Sequence, residues 1–207
     1  DEGDVPVVTG FQGIDALGRV LTLGRGGSDT SAVAIAGALG ADFVDIYKDV
    51  PGVAKADPRL IPKAQFMKFL DYDSMFRLAR HGARVLHDKS ADLARKLGIR
   101  IRVRSTFDDG PGTLIGPSDS KAAPADFLGL SSSPNKEGGM KLVAVFASGK
   151  GFRGRRIAES FAESWIGKAE SLDTGDADAC GFLLPQDSYR EFALGLFDVL
   201  ETGFNGS

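Results

Sequence analysis

A single cysteine, Cys180, occurs in 207 residues, so no internal disulfide framework can form, and a reducing, cytoplasmic setting is expected. Histidine is almost as scarce. His81 and His87 lie six positions apart with no cysteine near them. That is not the i, i+4 spacing of ligands on a helix, and no resident metal site is expected. No apolar run approaches the roughly 20 residues that span a bilayer, so no membrane partner is expected. The opening DEGDVPVVTG has no initiator Met, no basic n-region and no apolar h-region. It carries no visible signal peptide and reads as a chain begun in mid-domain. Charge of one sign is also missing: 25 Lys and Arg face 28 Asp and Glu, a formal net charge of −3. A protein that coats nucleic acid would need a strong basic excess to release counterions.

Glycine is plentiful, at 27 residues, and its placement divides the chain. Up to about residue 116 the glycines punctuate short apolar runs and amphipathic stretches. Strands are expected at 5–9, 19–23, 43–47 and 99–103, and helices at 28–39, 72–81 and 84–97. Strands alternating with helices imply an α/β layer fold with a largely parallel sheet. Residues 117–139, rich in Ser, Pro, Gly and Ala, read as a linker with one apolar island, Phe127 to Leu130. Beyond it, strands at 141–147 and 180–184 alternate with two amphipathic helices. The second helix is marked by Tyr189, Phe192, Leu196, Phe197 and Leu200 on one face. This order suggests a small α+β sandwich over 140–207.

Three stretches could carry chemistry. In Leu23-Gly-Arg-Gly-Gly-Ser-Asp-Thr-Ser31 the glycines let backbone approach a ligand, and the helix that follows adds its positive end, so the turn can hold an anion. Arg25 offers a fork for carboxylate or phosphate, and Asp29 can orient a cation. The alternative is a plain tight βα turn capped by Ser28; the stretch is not a Walker A, since no Gly-Lys-Ser/Thr ends it. In Lys48-Asp-Val-Pro-Gly-Val-Ala-Lys-Ala-Asp-Pro-Arg59, a loop after a parallel strand, Asp49, Asp57 and Arg59 are candidate ligand groups. The alternative is a turn whose arginine pairs with a local carboxylate. The stretch 77–104 holds nine Lys and Arg against Asp88 and Asp92. It lacks the interleaved aromatics of a stacking surface, so a solvated helix face is expected rather than a nucleic-acid site. Cys180, in a strand, reads as core.

Taken in order, Val8-Thr-Gly-Phe11, Thr22-Leu-Gly-Arg-Gly-Gly-Ser-Asp29, Asp49-Val-Pro-Gly52, Ala56-Asp-Pro-Arg59, Gly82-Ala-Arg-Val-Leu-His87 and Gly112-Thr-Leu-Ile115 resemble the C-terminal part of aspartate kinases in the amino-acid-kinase family. The tail, 127–207, resembles one divergent ACT domain. The resemblance implies a parallel-rich three-layer α/β sandwich, incomplete here, followed by a small ACT-like α+β domain. It implies ATP with Mg2+ as phosphoryl donor and L-aspartate as acceptor. It gives Arg25 the aspartate carboxylate, with Phe11 and Ser28 lining the same site, and Asp29 the task of organising cations. Lys48 and Asp49 would stand at the nucleotide base, Arg59 near the phosphates, and Arg84 at the transferring phosphoryl group.

The sequence departs from the family at several of these positions. Lys48 stands for a Thr, Ala54 for a Tyr, Arg84 for a Lys and Asp88 for a Pro, and the family's Lys-Phe-Gly-Gly-Thr-Ser segment is absent. Arg is bulkier than Lys and forked, so that exchange is not neutral. This chain alone is therefore expected to be inactive. The competing reading is a non-catalytic, amino-acid-sensing regulatory or assembly subunit that kept the fold. In the ACT-like part, Gly149, Gly151 and Gly154 are candidate contacts for an effector amino acid such as lysine, threonine or methionine. One sheet and two helices leave a sheet face and edges to bury, so pairing of this part with a second copy is expected.

Overall fold

A computed structural model describes residues 3–118, 125–165 and 167–205; of the expected linker, residues 119–124 lie outside that description. The first unit opens with a two-stranded antiparallel hairpin, β1 (Gln12–Ile14) and β2 (Val20–Thr22). Asp15 closes it by accepting the Leu17 and Arg19 N–H groups. The strand expected at 5–9 does not form, and Val5, Val7 and Val8 are exposed. β-propensity alone forms no strand where no neighbouring strand pairs with it.

After the hairpin come α1 (Gly27–Ala38), β3 (Phe43–Lys48), β4 (Phe69–Asp71), α2 (Tyr72–Arg80), α3 (Asp88–Leu97), β5 (Arg100–Ser105) and β6 (Thr113–Gly116). The sheet runs β3-β5-β6-β4, with two parallel pairings and one antiparallel. Its residues alternate cleanly. Val44, Ile46, Leu70, Ile101, Val103 and Ile115 share the face that packs with α1, α2 and α3 residues such as Val33, Met75, Leu78 and Ala91. The opposite face carries Phe43, Asp45, Tyr47, Arg100, Arg102 and Arg104, with Phe43 and Tyr47 about half exposed. Two layers of the expected three-layer sandwich are therefore present among the described residues. Much of the basic stretch is paired rather than free. Arg102 bonds both Asp45 oxygens at 2.6 and 2.7 Å, and Arg95 and Lys96 pair with Asp92.

The second unit contains β7 (Phe127–Pro134), β8 (Met140–Phe146), α4 (Gly151–Glu163), β9 (Glu170–Leu172), β10 (Ala179–Leu184) and α5 (Tyr189–Asn205). Its sheet is antiparallel throughout, in the order β7-β8-β10-β9. This is the order of a split βαβ sandwich with one edge strand supplied from upstream. The apolar island expected inside the linker is that strand. Phe127 and Leu130 point into the core beneath α4 and α5, with Phe146, Phe182, Phe192 and Leu196. Leu128 instead faces the first unit's core, beside Val143 and Val145. The face expected to need a second copy is thus covered by α2 of the same chain. Cys180 is buried, and burial pushes its thiol up to about 12, as befits a core residue.

A polar cluster fastens the two units. Arg77 of α2 pairs with Asp176 at 2.5 Å and Asp178 at 3.3 Å, and buried His81 bonds Asp176 through Nε2 at 3.1 Å. Ser131 Oγ of β7 donates to the His81 carbonyl at 2.6 Å. Burial pushes the His81 pKa below its ordinary value against the pull of Asp176. For Asp176, burial alone would raise the pKa. The Asp178 N–H, His81 and Arg77 outweigh it and hold the carboxyl below the usual range. Both shifts act in one direction. As pH falls below about 6.5 the unfolded chain binds protons more readily than the fold, so stability declines from there downward. Urea midpoints at pH 7.5, 6 and 5 should fall steadily, and His81→Gln should flatten the upper part of that slope. A midpoint indifferent to pH above 5 would contradict this.

Candidate active site

The site is built at the carboxyl end of β3, where the turn after β2 enters α1. Gly26 caps α1 with φ 75° and supplies no side-chain bond, so N–H groups of the first turn have no side chain to cap them. The glycines here are sterically required. A Cβ on Gly26 would lie 2.4 Å from His87 Cβ, and one on Gly27 2.9 Å from the Phe11 ring. Phe11 itself holds φ 70°, a left-handed conformation unusual for a bulky residue. Its N–H donates to Ser31 Oγ at 3.1 Å, and that hydroxyl donates to the Gly27 carbonyl at 2.9 Å. Ser28 is exposed in the first turn, next to Gly10.

Across this turn Lys48, the last residue of β3, places Nζ 2.9 Å from each oxygen of Asp29. The turn and the 48–59 loop therefore share one side of the sheet. Among the described residues no hydrogen bond or ion pair joins the remaining sequence candidates to this pair. Arg59 is bound to Asp57 through Nε and Nη2, at 3.0 and 2.8 Å, so the local-turn reading describes its immediate contacts. The Arg59 hydrogen bonds hold the Asp57 carboxyl below its usual range; burial opposes them and the charge of Arg84 adds to them. Asp57, chiefly by hydrogen bonding, and more weakly Asp49 raise the Arg59 pKa. Arg84 was expected within a helix. It lies instead in the connection between α2 and α3, because Gly82 at φ 115° ends the first helix and His87 caps the second. Arg25 and Arg84 are exposed, and neither has a hydrogen bond or ion pair among the described residues.

The loop from Asp49 to Arg59 is held from below by the second unit. Leu130 of β7 donates to the Lys55 carbonyl at 2.7 Å, and Lys55 Nζ pairs with Glu201 of α5 at 2.5 Å. A Cβ on Gly129 would lie 2.2 Å from that carbonyl, which explains a glycine inside β7.

Two residues with supporting roles had no role in the sequence reading: His87, which closes the glycine turn, and Ser31, which pins Phe11. His87 sits in a quoted motif, but its contact with Gly26 is visible only in three dimensions. The effector candidates Gly149, Gly151 and Gly154 all make contacts within the chain. The Gly149 and Gly151 N–H groups donate to Asp178 at 3.1 and 2.8 Å, and the bare Cα of Gly154 makes room for the Phe146 ring. These donors are already satisfied within the chain, so this turn is part of the domain junction.

Residues 1–105 match the amino acid kinase family, and the chain belongs to it. Among curated proteins, the aspartokinase of Corynebacterium glutamicum is 37% identical over 207 residues, covering 92% of this chain and 46% of that protein. The aspartokinase of Corynebacterium efficiens is 50% identical over 119 residues, 57% of this chain and 28% of that protein. The chain thus spans less than half the length of these relatives. The E. coli aspartokinase III structure with aspartate and ADP matches with a TM-score of 0.73 at 21% identity, covering 93% of this chain and 60% of that one. The same enzyme with lysine and aspartate matches at 0.68 and 20% identity, covering 92% and 59%. At those identities the likeness concerns the fold. No helix among the described residues is long and apolar enough to cross a membrane.

Proposed function

We propose that this chain is the C-terminal part of an aspartate kinase, which transfers the γ-phosphoryl group of ATP to the β-carboxylate of L-aspartate and yields 4-phospho-L-aspartate. Residues 1–116 supply half of the kinase domain, and β7 with residues 140–207 supplies an ACT-like unit. The observation that carries the reading is the α1 N-terminus without a side-chain cap, beside Lys48–Asp29, with Arg25 in the turn itself and Arg84 in the connection whose His87 packs at Gly26. Phosphoryl transfer needs positioning and cations around two anionic substrates rather than covalent chemistry by the protein. Arg25 grips an aspartate carboxylate beside Phe11 and Ser28. Asp49 and Arg59 stand on the nucleotide side, and Arg84 serves the phosphates. Among the described residues, no group of three or more His, Cys, Asp or Glu is placed to hold a metal by itself. Mg2+ fits this donor set as an ion carried in on the ATP phosphates, where it neutralises their charge.

The relatives support this reading by overall identity, 37% over 92% of this chain in the Corynebacterium glutamicum aspartokinase. The aspartate, ADP and lysine named with the E. coli structures support nucleotide use, an aspartate acceptor and an amino-acid effector in the assembled protein. Self-association through the second unit is kept in the proposal, supported by the short outer strand β9, which pairs only with β10 among the described residues.

The test uses a protein carrying this chain together with the rest of the relatives' length. Arg25→Ala removes a charge-assisted carboxylate contact of about 1.5–3 kcal/mol, so KM for aspartate should rise at least about tenfold while KM for ATP holds. Equal rises for both substrates would count against the aspartate role, and absence of turnover in the unaltered protein would favour the non-catalytic reading.

A further inference from the structure

We infer that Lys48 is a catalytic cation, directed by Asp29 at the phosphoryl group in transfer and not at the nucleotide base. The inference rests on the phosphoryl-transfer reading above and deepens it.

The backbone of Lys48 is fixed: its carbonyl accepts both the Thr106 N–H at 2.8 Å and the Thr106 hydroxyl at 3.0 Å. From that anchor the side chain crosses to the third residue of α1. Nζ bonds Asp29 Oδ1 and Oδ2 at equal distance, which aims the ammonium at the mouth of the glycine turn. An ammonium has three donors and no acceptor, and Asp29 takes two of them. The third has no protein partner among the described residues.

Stability gives little reason for this arrangement. The side chains of Lys48 and Asp29 keep only 26% and 14% of their exposure, so the cost of desolvating both charges offsets much of their attraction and the pair is a weak source of folding stability. What the pair does achieve is to hold a compact point charge, on a flexible stem, in one place. That place is beside first-turn N–H groups of α1 that no side chain caps, where an anionic ligand gathers. A cation set there before the ligand arrives requires no reorganisation when charge develops in the transition state, which is the condition under which it accelerates transfer. Asp49, the next residue in the chain, is exposed and free to serve the nucleotide without Lys48.

The test compares Lys48→Met and Lys48→Arg with the unaltered protein, in the form that carries the relatives' full length. Lys48→Met should lower kcat at least about 100-fold, the scale of losing one charge-stabilising group, with KM for aspartate changed less than about threefold. Lys48→Arg should recover part of that loss. Calorimetry with ADP and with a non-hydrolysable ATP analogue supplies a second readout. Lys48→Met should weaken the analogue about tenfold and leave ADP unchanged, since only the analogue carries the third phosphoryl group. A kcat held within threefold, or equal weakening of both nucleotides, would overturn the role and leave the kinase reading standing. If the unaltered protein neither binds ADP nor phosphorylates aspartate, the kinase reading itself falls, and this role with it.

Discussion

In a protein carrying this chain with the rest of the relatives' length, Arg84→Ala is expected to lower kcat for aspartate phosphorylation by about 10²- to 10³-fold and to leave KM for aspartate nearly unchanged. The guanidinium stands in the 81–87 connection, exposed and without a hydrogen bond or ion pair among the described residues. Its removal therefore breaks no hydrogen bond or ion pair and costs only a weak charge interaction with Asp57, so a large loss of rate would be a loss of charge at the phosphates. The same connection ends in His87, which packs against Gly26, so the backbone carrying Arg84 is tied to the glycine turn. Arg84→Lys exchanges a planar fork for a point charge and should hold or raise kcat. A measurable basal rate indifferent to both substitutions would refute the role. A rise in KM for both substrates with kcat intact would mean uniform binding rather than transition-state stabilisation.

Gly26→Ala should destabilise the fold by about 2–5 kcal/mol, in two parts. A left-handed φ costs an L side chain about 1–2 kcal/mol, and forcing a methyl against His87 adds about 1–3 kcal/mol of overpacking. Gly24→Ala is the control. It has the same φ of 75°, but nothing lies within 4 Å of the place its methyl would occupy, so only the backbone cost applies. Urea unfolding of both variants should separate them by at least about 1 kcal/mol. Equal losses would mean that the His87 contact yields readily and that glycine is needed at Gly26 for its dihedral alone. A displaced His87 would also move the Arg84 connection, so Gly26→Ala should weaken nucleotide binding more than Gly24→Ala does.

Local pattern sufficed for much of the fold. The run 43–48 is a strand, 27–38 a helix closed by glycine, and 189–205 a helix whose apolar stripe lies on the second sheet, because side-chain periodicity and glycine stops act within a few residues. The glycine turn with Arg25 and Asp29 stands out locally, because charge and glycine in a short span have few uses, whereas Ser28, Lys48 and Arg84 are site candidates only through the family resemblance. Non-local partners were not legible. The 5–9 segment has strand composition but no neighbour to pair with, and 127–134 looked like linker until β8 paired with it. The donors at Gly149 and Gly151 looked free for an effector, yet the carboxylate that fills them lies 29 residues from Gly149. The target of Lys48 was decided in the same way, because Asp29 is 19 residues distant and reaches it only once α1 packs beside β3. Local sequence determined the elements marked by periodicity and glycine stops, and the charges carried by the glycine turn and the loop after β3. Tertiary packing alone decided which donors are already satisfied inside the chain and which remain for a ligand, since a hydrogen bond depends on atoms brought within about 3 Å, whatever their separation along the chain.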